Sequence, residues 1–175
     1  MEDKAGYGRV CVATRDIFPN EVVLDDQPVA LSPTQDSPLA CLTCYRLLSP
    51  NPDYVCSCGF PLCSPACSRD PAHRAEHQLF TSAKVVRRGV KDYPLIMPIR
   101  LLTLLEAEDP TLKDRLARLM DHNTEREQES ERWDWVEEKV VQPLLKLNNK
   151  WSTQDVHRCI GLFRTNACTT QASKI

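Results

Sequence analysis

Apolar residues in the second half of the chain recur at helical spacing. Pro98 suits a first helical turn, and Ile99, Leu101, Leu102, Leu104 and Leu105 follow it before Asp109-Pro110 interrupts the stretch. Leu112, Leu116, Leu119 and Met120 then share a helical face, and Trp133, Val136, Val140, Val141, Leu144 and Leu145 form a longer stripe. Ser152 with Asp155 three residues on reads as a capping box, with Asp where Glu or Gln is usual, ahead of Val156, Cys159, Ile160 and Phe163 at core spacing. Three or four packed helices are expected from about Pro94 onward. Their aromatic and leucine stripes read as core, and the charged stretch from Glu125 to Arg132 reads as a solvated helix face or linker.

The start of the chain has a different pattern. Arg9 to Thr14 and Glu21 to Leu24 are short β-type runs, joined through Phe18-Pro19-Asn20, where proline and asparagine suit adjacent turn positions. A hairpin or two neighbouring strands is predicted, with Gln27 to Ser32 as a further extended piece. Two strands alone are marginal, so they should belong to a larger sheet. The polar, proline-bearing segment from Ser32-Pro33 to Pro38 links this zone to the next.

Between these zones the hydrophobic pattern gives way to candidate metal ligands: Cys41-x2-Cys44, Cys56-x-Cys58, Cys63-x3-Cys67 and His73-x3-His77. Six of the nine cysteines and two of the four histidines fall within these 37 residues, which matches the eight ligands that two tetrahedral zinc ions require. Asp70 followed by Pro71 is an N-cap with a first-turn proline, so a helix is predicted from Pro71 to about Phe80. His73 and His77 then share one face, and one zinc can be held by both. Ser64-Pro65 can open a helical turn carrying Cys67, while Gly59 and Pro61 bend the chain after Cys58. A redox Cys-x-x-Cys would explain Cys41 and Cys44 but not four successive ligand pairs. Cys11, Cys159 and Cys168 lie outside the cluster and read as ordinary buried or free thiols.

Composition narrows the setting. At 175 residues and 42% apolar content the chain can bury a core, in one or two small domains. The opening Met1-Glu2-Asp3-Lys4 carries no apolar signal core and no apolar run reaches transmembrane length, so a cytoplasmic or nuclear chain is expected, without membrane and without a disulfide framework. The formal net charge is −2, and six thiolates against two zinc dications would lower it by two more. That charge, and the absence of the two-Cys, twelve-residue, two-His spacing of DNA-reading fingers, argue against nucleic acid as partner.

The ligand zone resembles a MYND finger. In that family the ligand pairs are used alternately, which implies that Cys41, Cys44, Cys63 and Cys67 hold one zinc ion and Cys56, Cys58, His73 and His77 the second. The chain departs from the family at Cys56-x-Cys58, where a two-residue gap is usual, and at His77, where cysteine is common. The run from Gly8-Arg9-Val10 to Asn20-Glu21 is similar to the opening of a SET domain. Further similarity spans Tyr93 through Ala167, including Pro98-Ile99-Arg100-Leu101-Leu102, His122 with Arg126, and Gly161-Leu162-Phe163-Arg164-Thr165-Asn166-Ala167. The whole looks closest to the arthropod Smyd-like branch of SET-MYND proteins.

The resemblance implies an α+β fold, in which a MYND-type two-zinc finger over residues 41–80 is inserted between an incomplete SET β-region over 1–40 and an α-helical region over 81–167, with a divergent tail over 168–175. Complete members are S-adenosylmethionine-dependent protein-lysine methyltransferases, histone methyltransferases among them. Their catalytic parts, an Asn-His-Ser-Cys-x-Pro-Asn segment, a later tyrosine and a post-SET cysteine cluster, do not occur here. A truncated form is expected, with Gly8, Arg9 and Asn166 as remnants of the cofactor site and no catalytic residue. The leading expectation is a zinc-binding protein-interaction module, with proline-containing peptides as the class of partner. The alternative is a methyltransferase active only in a full-length form.

Overall fold

A computed structural model describes the chain except residues 1, 7, 83–86, 108 and 169–175, so all but the first residue of the expected tail lies outside the described residues. Nearly half of the chain is helical. The described strands are β1 (Glu2–Lys4) and β2 (Gly8–Val10), an antiparallel pair in the register Glu2↔Val10. The expected α+β class is therefore met only loosely, since regular structure among the described residues is almost all helix, with one short strand pair.

The turn expected at Phe18-Pro19-Asn20 forms, with the Glu21 N–H donating to the Phe18 carbonyl at 3.1 Å and Asn20 in the left-handed region at φ 66°. The strand expected after it does not. Val22, Val23 and Leu24 are 77, 70 and 81% exposed, and residues 21–28 have no regular structure. A short apolar run becomes a strand only where a neighbouring edge takes up its backbone groups and a layer covers its apolar side chains, and residues 22–24, exposed and outside any strand, have neither.

The helical zone follows the hydrophobic stripes in part, in six helices among the described residues where three or four were expected. A 3-10 turn over Val90–Leu95 leads into α3 (Ile96–Glu106), which α4 (Pro110–Ala117) follows after Asp109 accepts from the Thr111 and Leu112 N–H groups. These are numbered after α1 (Pro65–Arg69) and α2 (Arg74–Thr81) of the ligand zone. On α4 only Leu116 is buried; Leu119 and Met120 lie beyond its end and are exposed. The short α5 (Asn123–Glu127) precedes α6 (Ser130–Val136), a π-helical turn over Glu137–Val141 and α7 (Gln142–Leu147). Pro143 has no N–H and its ring would crowd the carbonyl of Lys139, so the wider turn just before it relieves a clash that an α-helix would impose. The capping box forms as expected, Ser152 Oγ accepting from Asp155 N and Asp155 Oδ2 from Ser152 N, both at 3.1 Å, and opens α8 (Thr153–Asn166).

One core joins the ligand zone to the helices. Leu42, Phe60, Leu62 and Phe80 pack in the same buried cluster as Tyr93, Ile96, Ile99, Val141, Leu144, Val156 and Ile160. Helix α3 lies at its centre, against α2 on one side and α8 on the other. The buried Tyr93 hydroxyl accepts from Ala40 N at 2.8 Å and donates to Ala40 O at 3.2 Å, fixing the chain just ahead of the first ligand. Among the described residues no helix is long and apolar enough to cross a membrane.

Candidate metal centres

The ligand pairs sit on four small, separately braced pieces of backbone. The bridge Ala40↔Leu47 closes a loop that carries Cys41 and Cys44, with Tyr45 N donating to Cys41 O at 2.9 Å. The bridge Val55↔Pro61 closes the second loop, where Gly59 N donates to Cys56 O at 2.8 Å and Gly59 takes φ 92°, a conformation that a side chain would strain. Cys63 and Cys67 flank the start of α1, where Ser64 Oγ accepts from Cys67 N at 3.4 Å. Asp70 accepts from Ala72 N at 2.8 Å, starting a 3-10 turn over Pro71–His73 that runs into α2 and sets both imidazoles on one side. The predicted helix is thus present, with its first turn tightened.

These pieces bring the eight ligands into two groups of four. Cys41, Cys44, Cys63 and Cys67 form one, and Cys56, Cys58, His73 and His77 the other, with the ligand atoms of each group within 4.8 Å of one another. In the first, Cys44 Sγ lies 3.5 Å from Cys63 Sγ, which lies 3.3 Å from Cys67 Sγ. In the second, Cys56 Sγ is 3.2 Å from His77 Nδ1 and Cys58 Sγ is 3.3 Å from His73 Nε2. A tetrahedral ion with Zn–S near 2.3 Å and Zn–N near 2.0 Å separates its ligand atoms by about 3.3–3.8 Å, so these four distances are within a few tenths of an ångström of that geometry. The short Cys56-x-Cys58 gap does not keep Cys58 out of its group. Cys11, Cys159 and Cys168 belong to neither.

The electrostatics suit a dication. Burial pushes the Cys41 thiol up, but N–H groups of Cys44, Cys63 and Thr43 donate to its sulfur and bring it down to about 7. Cys56 is likewise brought down to about 7 against the effect of burial, by the Cys58 N–H and the side chains of His73, Cys58 and His77. Burial and the neighbouring Cys63 thiol instead push Cys67 up to about 12. Each group thus concentrates partial or full negative charge that a metal ion would neutralise, releasing the remaining thiol protons.

Two further residues complete the second group, and sequence reading did not single either out as part of it. His73 Nδ1 lies 3.0 Å from Glu76 Oε1, and both side chains are fully buried. A carboxylate on the far nitrogen fixes the tautomer that leaves Nε2 free for metal. Glu76 is held in turn by Arg100 of α3, whose Nε donates to Oε2 at 3.2 Å and whose Nη2 donates to Oε1. Burial raises the Glu76 pKa, but His73 and Arg100 outweigh it and keep the group a carboxylate. The spacing of Glu76 from His73 on one helical turn was a usable signal; its pairing with Arg100, 24 residues away, was not.

The expected cofactor remnants fall on two elements, β2 and the end of α8. Gly8 and Arg9 lie in β2, paired with Lys4 and Asp3. Asn166, at the end of α8, gives its amide Nδ2 to the carbonyls of Met120 at 2.9 Å and Leu162 at 2.8 Å. Comparison with protein-family models, with curated proteins and with solved structures finds no match to this chain.

Proposed function

We propose that the chain is a two-zinc finger of the MYND type, built into a helical support and acting as a protein-interaction module. The observation that carries this reading is the alternation of ligand pairs: first with third, second with fourth. Such crossed use ties the two loops and both helices into one unit. Zinc suits the ligand set, four sulfurs in one group and two sulfurs with two imidazole nitrogens in the other, because it accepts both and imposes no geometry beyond the tetrahedron. Its contribution here is structural, since each group supplies all four ligands and leaves no open position for substrate.

An interaction role is supported by apolar residues presented by the finger itself. Leu47 and Val55, one on each bridge, are 50% and 40% exposed. An extended, proline-containing peptide lying across such a surface would gain apolar contact at low ordering cost. Methyl transfer from S-adenosylmethionine to a lysine substrate has no comparable support, because both amide hydrogens of Asn166 are taken by backbone carbonyls.

Native mass spectrometry with metal analysis tests the metal reading, which expects two zinc ions per chain; none or one would overturn it. Titration with proline-rich peptides and with duplex DNA tests the partner. Peptide binding with weak salt dependence is expected, and preferential DNA binding with a steep salt slope would refute it.

A further inference from the structure

We infer that Arg100 couples the two metal sites, so that an ion at one raises the affinity of the other. The inference rests on the two-zinc reading above and adds to it a residue outside the finger. The Arg100 guanidinium is buried, and each of its nitrogens is committed. Nε and Nη2 hold Glu76, and through it His73 of the histidine-containing site. Nη2 also donates at 2.8 Å to the carbonyl of Leu42, which follows Cys41 directly. Nη1 donates to the Tyr45 hydroxyl at 2.5 Å and to the Leu31 carbonyl, which Tyr45 itself contacts at 2.9 Å. Tyr45 follows Cys44 directly, holds φ 59° and donates its N–H to the Cys41 carbonyl at 2.9 Å, so its backbone closes the turn of the first ligand loop.

A planar, delocalised guanidinium cannot move one nitrogen without the others. An ion that immobilises His73 therefore immobilises Glu76, then the guanidinium plane, and with it the Leu42 carbonyl and the Tyr45 hydroxyl. The cost of ordering the Cys41–Cys44 loop has then been met before the second ion arrives. The reverse order has the same coupling, as linkage requires. Arg100 belongs to α3, so the coupling passes through the helical support.

A cobalt(II) titration of the whole chain against a chromophoric chelator tests this, because a two-sulfur, two-nitrogen site and a four-sulfur site give separate ligand-field bands. The affinity of the histidine-containing site is measured in the native chain and in Cys63→Ser, which disables the all-cysteine site. The expected result is a weakening of about 5- to 150-fold in Cys63→Ser, the usual span of coupling between sites. In an Arg100→Met background the same change should have an effect approaching unity. Where circular dichroism shows that Arg100→Met does not fold, Glu76→Gln takes its place with the same expectation. Equal affinities in the native chain and Cys63→Ser would overturn the coupling, and an equal loss with and without Arg100 would assign it to the shared backbone. Failure of the native chain to bind two ions would instead refute the zinc reading itself.

Discussion

His73 Nδ1 faces the Glu76 carboxylate at 3.0 Å, and neither side chain reaches solvent. This arrangement leaves Nε2, 3.3 Å from Cys58 Sγ, as the nitrogen offered to a metal ion. Replacing Glu76 by Ala removes the group that orients the ring and leaves the Arg100 charge buried without its partner. Zinc affinity at the histidine-containing site should fall by about 10- to 100-fold, the usual effect of losing such a carboxylate. Competition with a zinc chelator measures it; an unchanged affinity would remove Glu76 from the site.

The cysteines divide into ligands and bystanders. Changing Cys41 to Ala should release the ion of the all-cysteine group and unfold the loops that it holds while the histidine-containing group keeps its ion, because a structural zinc site supplies on the order of 10–16 kcal/mol of folding free energy at neutral pH. Changing Cys11 to Ala, at an exposed position outside both groups, should leave both ions bound. Metal analysis after gel filtration distinguishes the two outcomes.

Acid should empty both sites. Protons compete with the metal for six sulfurs and two imidazoles, so metal affinity falls steadily as pH drops below neutrality. Circular dichroism with a metal indicator should show release and loss of finger structure together. Release that leaves the finger fully folded would contradict a structural role.

Cys159 predicts a separate effect at alkaline pH. Burial, with Asp155 nearby, pushes its thiol from 9.0 to about 12. The folded chain keeps this proton while the unfolded chain loses it from about pH 9 upward. Its contribution to stability is therefore complete below that pH and is lost as pH rises toward 12. Urea midpoints compared at neutral and alkaline pH should show a smaller decline in Cys159→Ala than in the native chain.

Gly161 lies on α8 where the helix meets the segment before α5. A Cβ there would stand 2.4 Å from the Asp121 carbonyl oxygen and 2.7 Å from Asp121 Cβ. One of these is backbone, which cannot swing aside as a long side chain can. Gly161→Ala should therefore destabilise the chain by about 1–3 kcal/mol, read as a lower urea midpoint with the metal content unchanged.

The features legible in the sequence are those fixed by neighbours within a few residues. The caps at Asp70, Ser64 and Ser152, the turn at Asn20 and the helical stripe through Val136, Val140 and Leu144 depend on local chemistry, and each forms. The eight ligands were visible from residue type and spacing, and their alternate grouping came from a resemblance that the geometry of the clusters matches. What could not be read depends on long-range partners. Val22 to Leu24 have the composition of a strand but no edge to pair with, and composition does not reveal the missing neighbour. Arg100 pairs with Glu76, 24 residues away, and with the Leu42 carbonyl, 58 residues away, and neither partner is marked by local spacing.

The central claim is the crossed use of ligand pairs, and stoichiometry alone does not test it. Sequential pairing would also give one four-sulfur site, from Cys41, Cys44, Cys56 and Cys58, and one two-sulfur, two-nitrogen site. The cobalt(II) absorption spectrum of the Cys63→Ser chain separates the two arrangements. Crossed pairing predicts that the ion remaining is bound by Cys56, Cys58, His73 and His77, with the spectrum of two sulfurs and two nitrogens. A surviving four-sulfur spectrum would contradict it.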